Sequence, residues 1–188
     1  PSYLPSEYYW LVGVTHRGYP KEETEVRNTF GSNISFKRKV FLDLNGFNST
    51  IGGRKGSKNL QGGETELCGR MLNEYGKGVW YTPEAIVTHK VFAFRTSPSW
   101  LVDRAFWQGY SKRAMESLLP QSSSEEEEYL TRLILSFIPN RVANLIFDPS
   151  KEDFEQLAMI FLLTASVGIG YLYGIIIWSI LKNKDGET

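Results

Sequence analysis

No charged residue occurs between Leu157 and Leu181. A segment this long and apolar reaches across a bilayer core, which takes about 20 apolar residues as a helix. Inside lipid the backbone has no water to bond with, so the segment is required to be helical. Trp178 sits near its end, where an indole anchors at the interface. Gly170 and Gly174 form a G-x-x-x-G pair, a helix-packing face open to a second copy of the chain. The flanking cations, Arg141 and Lys151 before the span and Lys182 and Lys184 after it, do not decide its orientation.

The rest of the chain reads as one domain of mixed character. Its 188 residues carry equal numbers of acidic and basic side chains, so no overall field favours nucleic acid. Cys68 is the single cysteine, which rules out an internal disulfide; at helical spacing it reads as a small buried hydrophobe. Aromatic residues make up 14 % of the chain, in keeping with sugar contacts, a membrane interface or a compact core. The chain opens at Pro1, without Met or a signal pattern, and runs into apolar sequence. It reads as a fragment whose N-terminal part is missing.

Along the chain, the aromatic and β-branched run Tyr8–Thr15 predicts a strand, and the polar stretch His16–Arg27 a loop. Gly31–Phe36 predicts a turn into a short strand, and Lys37–Leu44 a short helix with Gly46 as its cap. Residues 49–63 hold five glycines with Arg54, Lys55 and Lys58, which predicts a flexible basic loop, either solvated or covering a diphosphate. Glu64–Tyr75 predicts a helix with Leu67, Met71, Leu72 and Tyr75 on one side and glycines at its end. Short strands follow at Val79–Tyr81 and Ala85–Thr88. Ser97-Pro98 is a helix start; Trp100, Arg104, Trp107, Ser111 and Ala114 share one face of the helix that runs to Leu119. Beyond the acidic run Glu125–Glu128, with Ser124 and Glu127 as a capping box, a helix is expected to end before Pro139, and Asn140–Phe147 forms another apolar-faced segment. These pieces suit helices lying on a membrane surface. The expected division is 1–119 catalytic part, 120–153 amphipathic surface helices, 154–182 transmembrane helix and 183–188 polar tail.

Residues 62–90 carry the most chemistry. Glu64 and Glu66 lie in a helix first turn, where the helix dipole favours carboxylates whatever else they do. His89 follows at a strand end, a side chain suited to a proton or a divalent metal. His89 also has a plain structural reading as a hydrogen-bonding group. Trp107 beside Arg104 on the following helix offers a sugar or lipid-phosphate contact, or a simple packing face.

The ordered set Gly31-Ser32-Asn33-Ile34-Ser35-Phe36-Lys37-Arg38, Asn45-Gly46-Phe47, Gly63-Glu64-Thr65-Glu66-Leu67-Cys68, Tyr81-Thr82-Pro83 and Val87-Thr88-His89 resembles the acceptor-side half of family 2 glycosyltransferases with the GT-A fold. The resemblance covers roughly residues 8–115. It implies an α/β class: a partial GT-A (Rossmann-like) domain lacking its nucleotide-binding half. It further implies that Glu64 is the base that deprotonates an acceptor hydroxyl, that Glu66 orients that site, that His89 contacts metal or diphosphate, and that Asn33 lies near the sugar pocket. Arg54, Lys55 and Trp107 complete the expected substrate contacts. One departure stands out: Gly63 occupies the place of the first acid of the family's acidic pair.

The implied activity is inverting transfer from a nucleotide-sugar donor to a glycan or lipid-linked acceptor at a membrane, with the catalytic domain on the cytoplasmic side. A divalent ion, Mn²⁺ or Mg²⁺, is implied as cofactor, its main ligands expected in the missing N-terminal part, because no Asp-x-Asp occurs here. The isolated fragment is therefore expected to be inactive. An alternative is a catalytically degenerate scaffold of a glycan-assembly complex. A hydrolase is disfavoured, since no second acid or G-x-S-x-G nucleophile is found.

Overall fold

The computed structural model describes residues 1–55, 58–119 and 129–185, without the side chains of 54, 55, 58 and 179–185. The acidic run with its Ser124–Glu127 capping box lies outside the described residues.

Helices dominate. The first is a 3₁₀ helix at Ser6–Val12, ended by Gly13 with φ 75°. It replaces the strand expected over Tyr8–Thr15. The reason is visible in the burial: Leu4, Tyr8 and Leu11 are buried together, a helical rather than alternating spacing, and that outweighs the strand propensity of the aromatics. After β1 (Thr24–Val26), which lies in the expected loop, comes α1 (Arg38–Asp43). Gly46 at φ 65° donates its amide to the Phe41 carbonyl and closes α1 as the sequence suggests. Gly31–Phe36 turns but forms no strand.

The glycine-rich segment is more ordered than a flexible loop. β2 (Gly53–Lys55) and β3 (Lys58–Leu60) form an antiparallel hairpin, with Ile51 and Gln61 buried at its base. Glycines at 52 and 53 have positive φ, so the same residues that suggested disorder supply the hairpin's backbone conformations. α2 (Gly63–Tyr75) and β4 (Val79–Tyr81) follow. β4 pairs antiparallel with β1, Glu25 opposite Trp80. Residues 85–88 form no strand; Ile86 there is 84 % exposed, and no strand among the described residues pairs with it. Both ladders among the described residues are antiparallel and two-stranded.

α3 (Pro98–Leu118) starts at Pro98 as expected, but the Ser97 hydroxyl donates to the Phe94 carbonyl instead of capping the helix. From Tyr129 the chain is helical through a π turn at Leu133–Phe137 and on into α4 (Ile138–Phe147). A helix ending before Pro139 was the expectation. The wider π turn immediately upstream accommodates a proline that lacks an N–H and crowds the preceding turn. α5 (Lys151–Asp185) is capped by Ser150, whose Oγ accepts the Asp153 amide at 3.0 Å.

The core lies between helices rather than against a sheet. Tyr8, Leu11 and Val12 meet Leu101 and Ala105 of α3, Leu133 and Phe137 of the π turn, and Met159, Ile160 and Leu163 of α5. α5 is long and apolar enough to cross a membrane over Lys151–Trp178. One of its faces is packed into this core. Another, with Phe161, Leu162, Ile169, Leu172 and Ile176, is exposed.

The face with Gly170 and Gly174 is taken by α3 of the same chain. A Cβ on Gly170 would collide with the Phe106 carbonyl, and one on Gly109 with the Val167 carbonyl. The two backbones meet without side chains between them, the close approach for which small residues are needed. α4 exposes Val142, Ile146 and Phe147.

Candidate functional site

Glu64 stands in the first turn of α2, after Gly62, whose φ of 94° turns the chain from the β2–β3 hairpin into the helix. Its carboxyl lies against Gly31: a Cβ added there would be 3.6 Å from Cδ of Glu64. The loop carrying Gly31 is tied to α2 by Asn28, whose Nδ2 donates to Thr65 Oγ1 at 3.1 Å. The hairpin is tied to α3 by the Gln61 amide, which donates to Ser111 Oγ at 2.9 Å. These bonds bring α2, the 27–32 loop and α3 around one hollow.

That hollow is a cleft of about 1450 Å³, and Glu64 and His89 both line it. His89 packs over Gly13, where an added Cβ would sit 3.4 Å from its Nε2. α3 contributes Trp100, Arg104, Gln108 and Lys112 to the lining, and the 3₁₀ turn Ala93–Thr96 contributes Arg95. Thr164, Val167, Gly168 and Tyr171 of α5 form a further wall, so the apolar helix is part of the cleft.

Cationic side chains outnumber carboxylates in the lining: Lys21, Arg27, Arg95, Arg104, Lys112 and Arg132 against Glu25, Glu64 and Glu116. Burial pulls the Arg104 guanidinium down to about 10; the Glu64 carboxylate opposes that shift and Arg95 adds to it. Arg104 therefore sits within electrostatic reach of both. Its Nε is buried without a hydrogen-bond partner among the described residues. Gln61, 5 % exposed, also lines the cleft, and its Oε1 is likewise buried and unpartnered. Arg95 is held by the rings of Phe92 and Phe94, each 5.8 Å from its Cζ. At the aromatic end His16 packs edge-on against Tyr19 and Tyr129, and burial lowers its pKa despite the Arg17 carbonyl bond that raises it.

The other expected site residues lie elsewhere. Glu66 is 5 % exposed and paired with Arg70, Nε to Oε1 at 2.7 Å and Nη2 to Oε2 at 2.8 Å. Arg70 also donates to the carbonyls of Leu44 and Gly46, so this acid fastens the end of α1 to α2, away from the cleft lining. Asn33 donates to the Ala85 carbonyl at 2.6 Å and does not line the cleft. Trp107 also stays outside it, its Nε1 donating to Asp103 Oδ1 at 3.2 Å while its ring packs on Phe106 and Tyr110. Arg54 and Lys55 have their backbone in β2; their side chains lie outside the description.

Sequence reasoning placed Arg104 on a helix face without placing that face in a site. It missed Arg95, Gln61 and the α5 wall. Gln61 stands directly before the Gly62-Gly63 turn into α2, a local signal that was readable; the α5 wall has no local signal, being brought in over the length of the chain. Among the described residues no three His, Cys, Asp or Glu side chains are placed to hold a metal ion. The described residues therefore do not fit a divalent metal centre by themselves, and His89 has no companion set of ligands.

Over 185 residues the chain is 48 % identical to a glucosyl-dolichyl phosphate glucuronosyltransferase of Haloferax volcanii. The match takes in 98 % of this chain and 59 % of that protein, so the chain spans under two thirds of its relative's length. The chain matches no family model and no solved structure.

Proposed function

We propose that this chain is part of a membrane-associated inverting glycosyltransferase of family 2, with a GT-A catalytic domain, that moves a sugar from a nucleotide-sugar donor to a lipid-linked acceptor. The observation that carries the reading is the position of Glu64: a carboxylate in a cationic cleft, one wall of which is the apolar helix α5. The relative supports the same chemistry, since its name describes sugar transfer to a dolichyl phosphate-linked sugar.

In this reading the acceptor hydroxyl gives its proton to Glu64 as its oxygen attacks the anomeric carbon of the donor. The new C–O bond forms as the bond to the diphosphate breaks, and the electron pair leaves on the nucleoside diphosphate. Attack opposite the leaving group inverts the anomeric centre. Positioned proton transfer of this kind supplies about 10²–10⁴-fold in rate. Cationic side chains around the cleft neutralise the charge that develops on the leaving group. α5 and the exposed apolar residues of α4 hold the cleft at the membrane, and a nucleotide-sugar donor places it on the cytoplasmic side.

The test uses full-length protein in detergent with a nucleotide sugar and glucosyl polyprenyl phosphate. Formation of a two-sugar lipid product that depends on Glu64 supports the reading; absence of product with every nucleotide sugar defeats it. Gly63, standing where the family has an acid, favours a second reading as a degenerate scaffold component. Specific binding of the lipid-linked sugar with no turnover would select that reading.

A further inference from the structure

Two polar atoms on cleft-lining side chains are buried and unused: Arg104 Nε and Gln61 Oε1. A guanidinium N–H taken out of water without a partner costs free energy, as does an amide oxygen without a donor. Both side chains line the same cleft, and a bound group that offers an anion and a hydrogen-bond donor satisfies both atoms. The two atoms ask for different things. An Arg Nε acts together with a terminal nitrogen as a fork that fits two oxygens of an anion. The amide oxygen accepts a hydrogen bond and therefore needs an O–H or N–H.

Both side chains are held in place by the protein. The backbone of Gln61 is fixed to Ser111 of α3, two helical turns along from Arg104 on the same side of the helix. The Gln61 Nε2 is already engaged with Asn59 Oδ1 at 3.2 Å, which leaves the oxygen as its open end. Arg95 is a second cation close enough to lower the Arg104 pKa, and its guanidinium lies beside the stacked rings of Phe92 and Phe94. Two neighbouring like charges are both satisfied by one shared anion. The Glu64 carboxylate acts on the Arg104 charge more strongly than Arg95 does, yet supplies no hydrogen bond to Arg104 Nε.

We propose that Arg104, Arg95 and Gln61 form a subsite for a glycosyl phosphate, the two arginines binding the phosphoryl oxygens and Gln61 Oε1 accepting a hydroxyl of the attached sugar. This rests on the glycosyltransferase reading for its substrate class. A glycosyl phosphate occurs at the head of a lipid-linked acceptor and within a nucleotide sugar, and the same three residues suit either.

The experiment measures equilibrium binding to the full-length protein in detergent micelles, read by the fluorescence of Trp10 and Trp100, which line the cleft. The probes are glucose 1-phosphate, inorganic phosphate and methyl glucoside. Arg104→Gln is expected to weaken glucose 1-phosphate and inorganic phosphate at least tenfold and to leave methyl glucoside unchanged. Gln61→Leu is expected to weaken glucose 1-phosphate and leave inorganic phosphate unchanged. If Arg104→Gln lowers the melting temperature enough to prevent folding, Arg95→Gln decides in its place by the same tenfold criterion. Wild-type binding of glucose 1-phosphate that survives these arginine substitutions, or no wild-type binding, overturns the subsite. Competition by glucosyl polyprenyl phosphate assigns the subsite to the acceptor and competition by a nucleotide sugar assigns it to the donor; competition by neither also overturns it. Glu64→Gln separates the two proposals. Intact glucose 1-phosphate binding in that variant leaves the subsite standing whatever happens to turnover.

Discussion

Arg141 of α4 closes on the fully buried carboxylate of Glu7, Nη2 to Oε2 at 2.9 Å, and so ties the surface helix to the first turn of the chain. The same guanidinium reaches the side chain of Gln156 on α5, and Arg17 approaches Glu7 from the other side at 3.2 Å. The N-terminal helix and α4 meet on this carboxylate, and Arg141 links both to α5 through Gln156. Removing one partner of a buried pair leaves the other charge uncompensated, at about 3–5 kcal/mol. Arg141→Ala is expected to destabilise the protein by that order in chemical denaturation. Lys151→Ala, which breaks the exposed Lys151–Glu155 pair, is expected to cost under about 1 kcal/mol.

The same carboxylate sets an acid limit. Burial alone would raise the Glu7 pKa, but the Arg141 hydrogen bonds, its own backbone bond and the charges of Arg141 and Arg17 hold it below its ordinary 4.5. A lowered native pKa contributes stability that is fully present above 4.5 and is lost as pH falls through the native value. Melting temperature between pH 7 and pH 3 should therefore fall less steeply in Glu7→Gln than in wild type, from a lower starting point. Equal slopes would show that Glu7 does not titrate with unfolding.

Glu64→Gln keeps size and hydrogen-bonding capacity and removes the proton acceptor. Turnover should fall about 10²–10⁴-fold with little change in substrate affinity. Near-wild-type turnover would leave Glu64 as an acid favoured only by the start of α2.

Two glycines of α5 separate packing from propensity. Gly170→Ala drives a methyl group into the Phe106 carbonyl, and a cost of about 1–3 kcal/mol is expected. A Cβ on Gly168 meets nothing within 4 Å, and Gly168→Ala should be neutral or stabilise by up to about 1 kcal/mol. Thermal unfolding of both variants in one detergent measures the contrast; equal effects would mean that α3 and α5 are not in backbone contact.

Cys68 is buried, and its thiol is pushed up to about 11, first by burial and then by the Glu64 charge. Alkylation at pH 8 should be slow in the folded protein and should follow unfolding when denaturant is added. Rapid labelling of the native protein would contradict this packing.

Elements with a strong local signature were legible in the sequence: α1 with its Gly46 closure, α2 between its glycines, β4, and α3 from Pro98. The apolar run was legible as a helix, but the burial of Met159, Ile160 and Leu163 within the domain core was not. That burial depends on contacts with residues near the N-terminus, which leave no mark on α5 itself. Tyr8–Thr15 was misread because aromatic strand propensity was weighed above the spacing of Leu4, Tyr8 and Leu11. Glu64 and His89, singled out by their order along the chain, both line the cleft. Glu66 was grouped with Glu64 because both fall in one helical turn, yet two residues apart on a helix they point in different directions, and Glu66 went to Arg70.

The doubling of α5 as cleft wall and apolar rod has a spatial consequence. A single helix is about 10–12 Å across with its side chains. Acyl chains or detergent lying on Phe161, Leu162 and Ile169 are thus one rod's thickness from whatever rests beside Thr164 and Tyr171. A greasy tail and its polar head can be served on the two flanks of one element, with no long transit between oil and water.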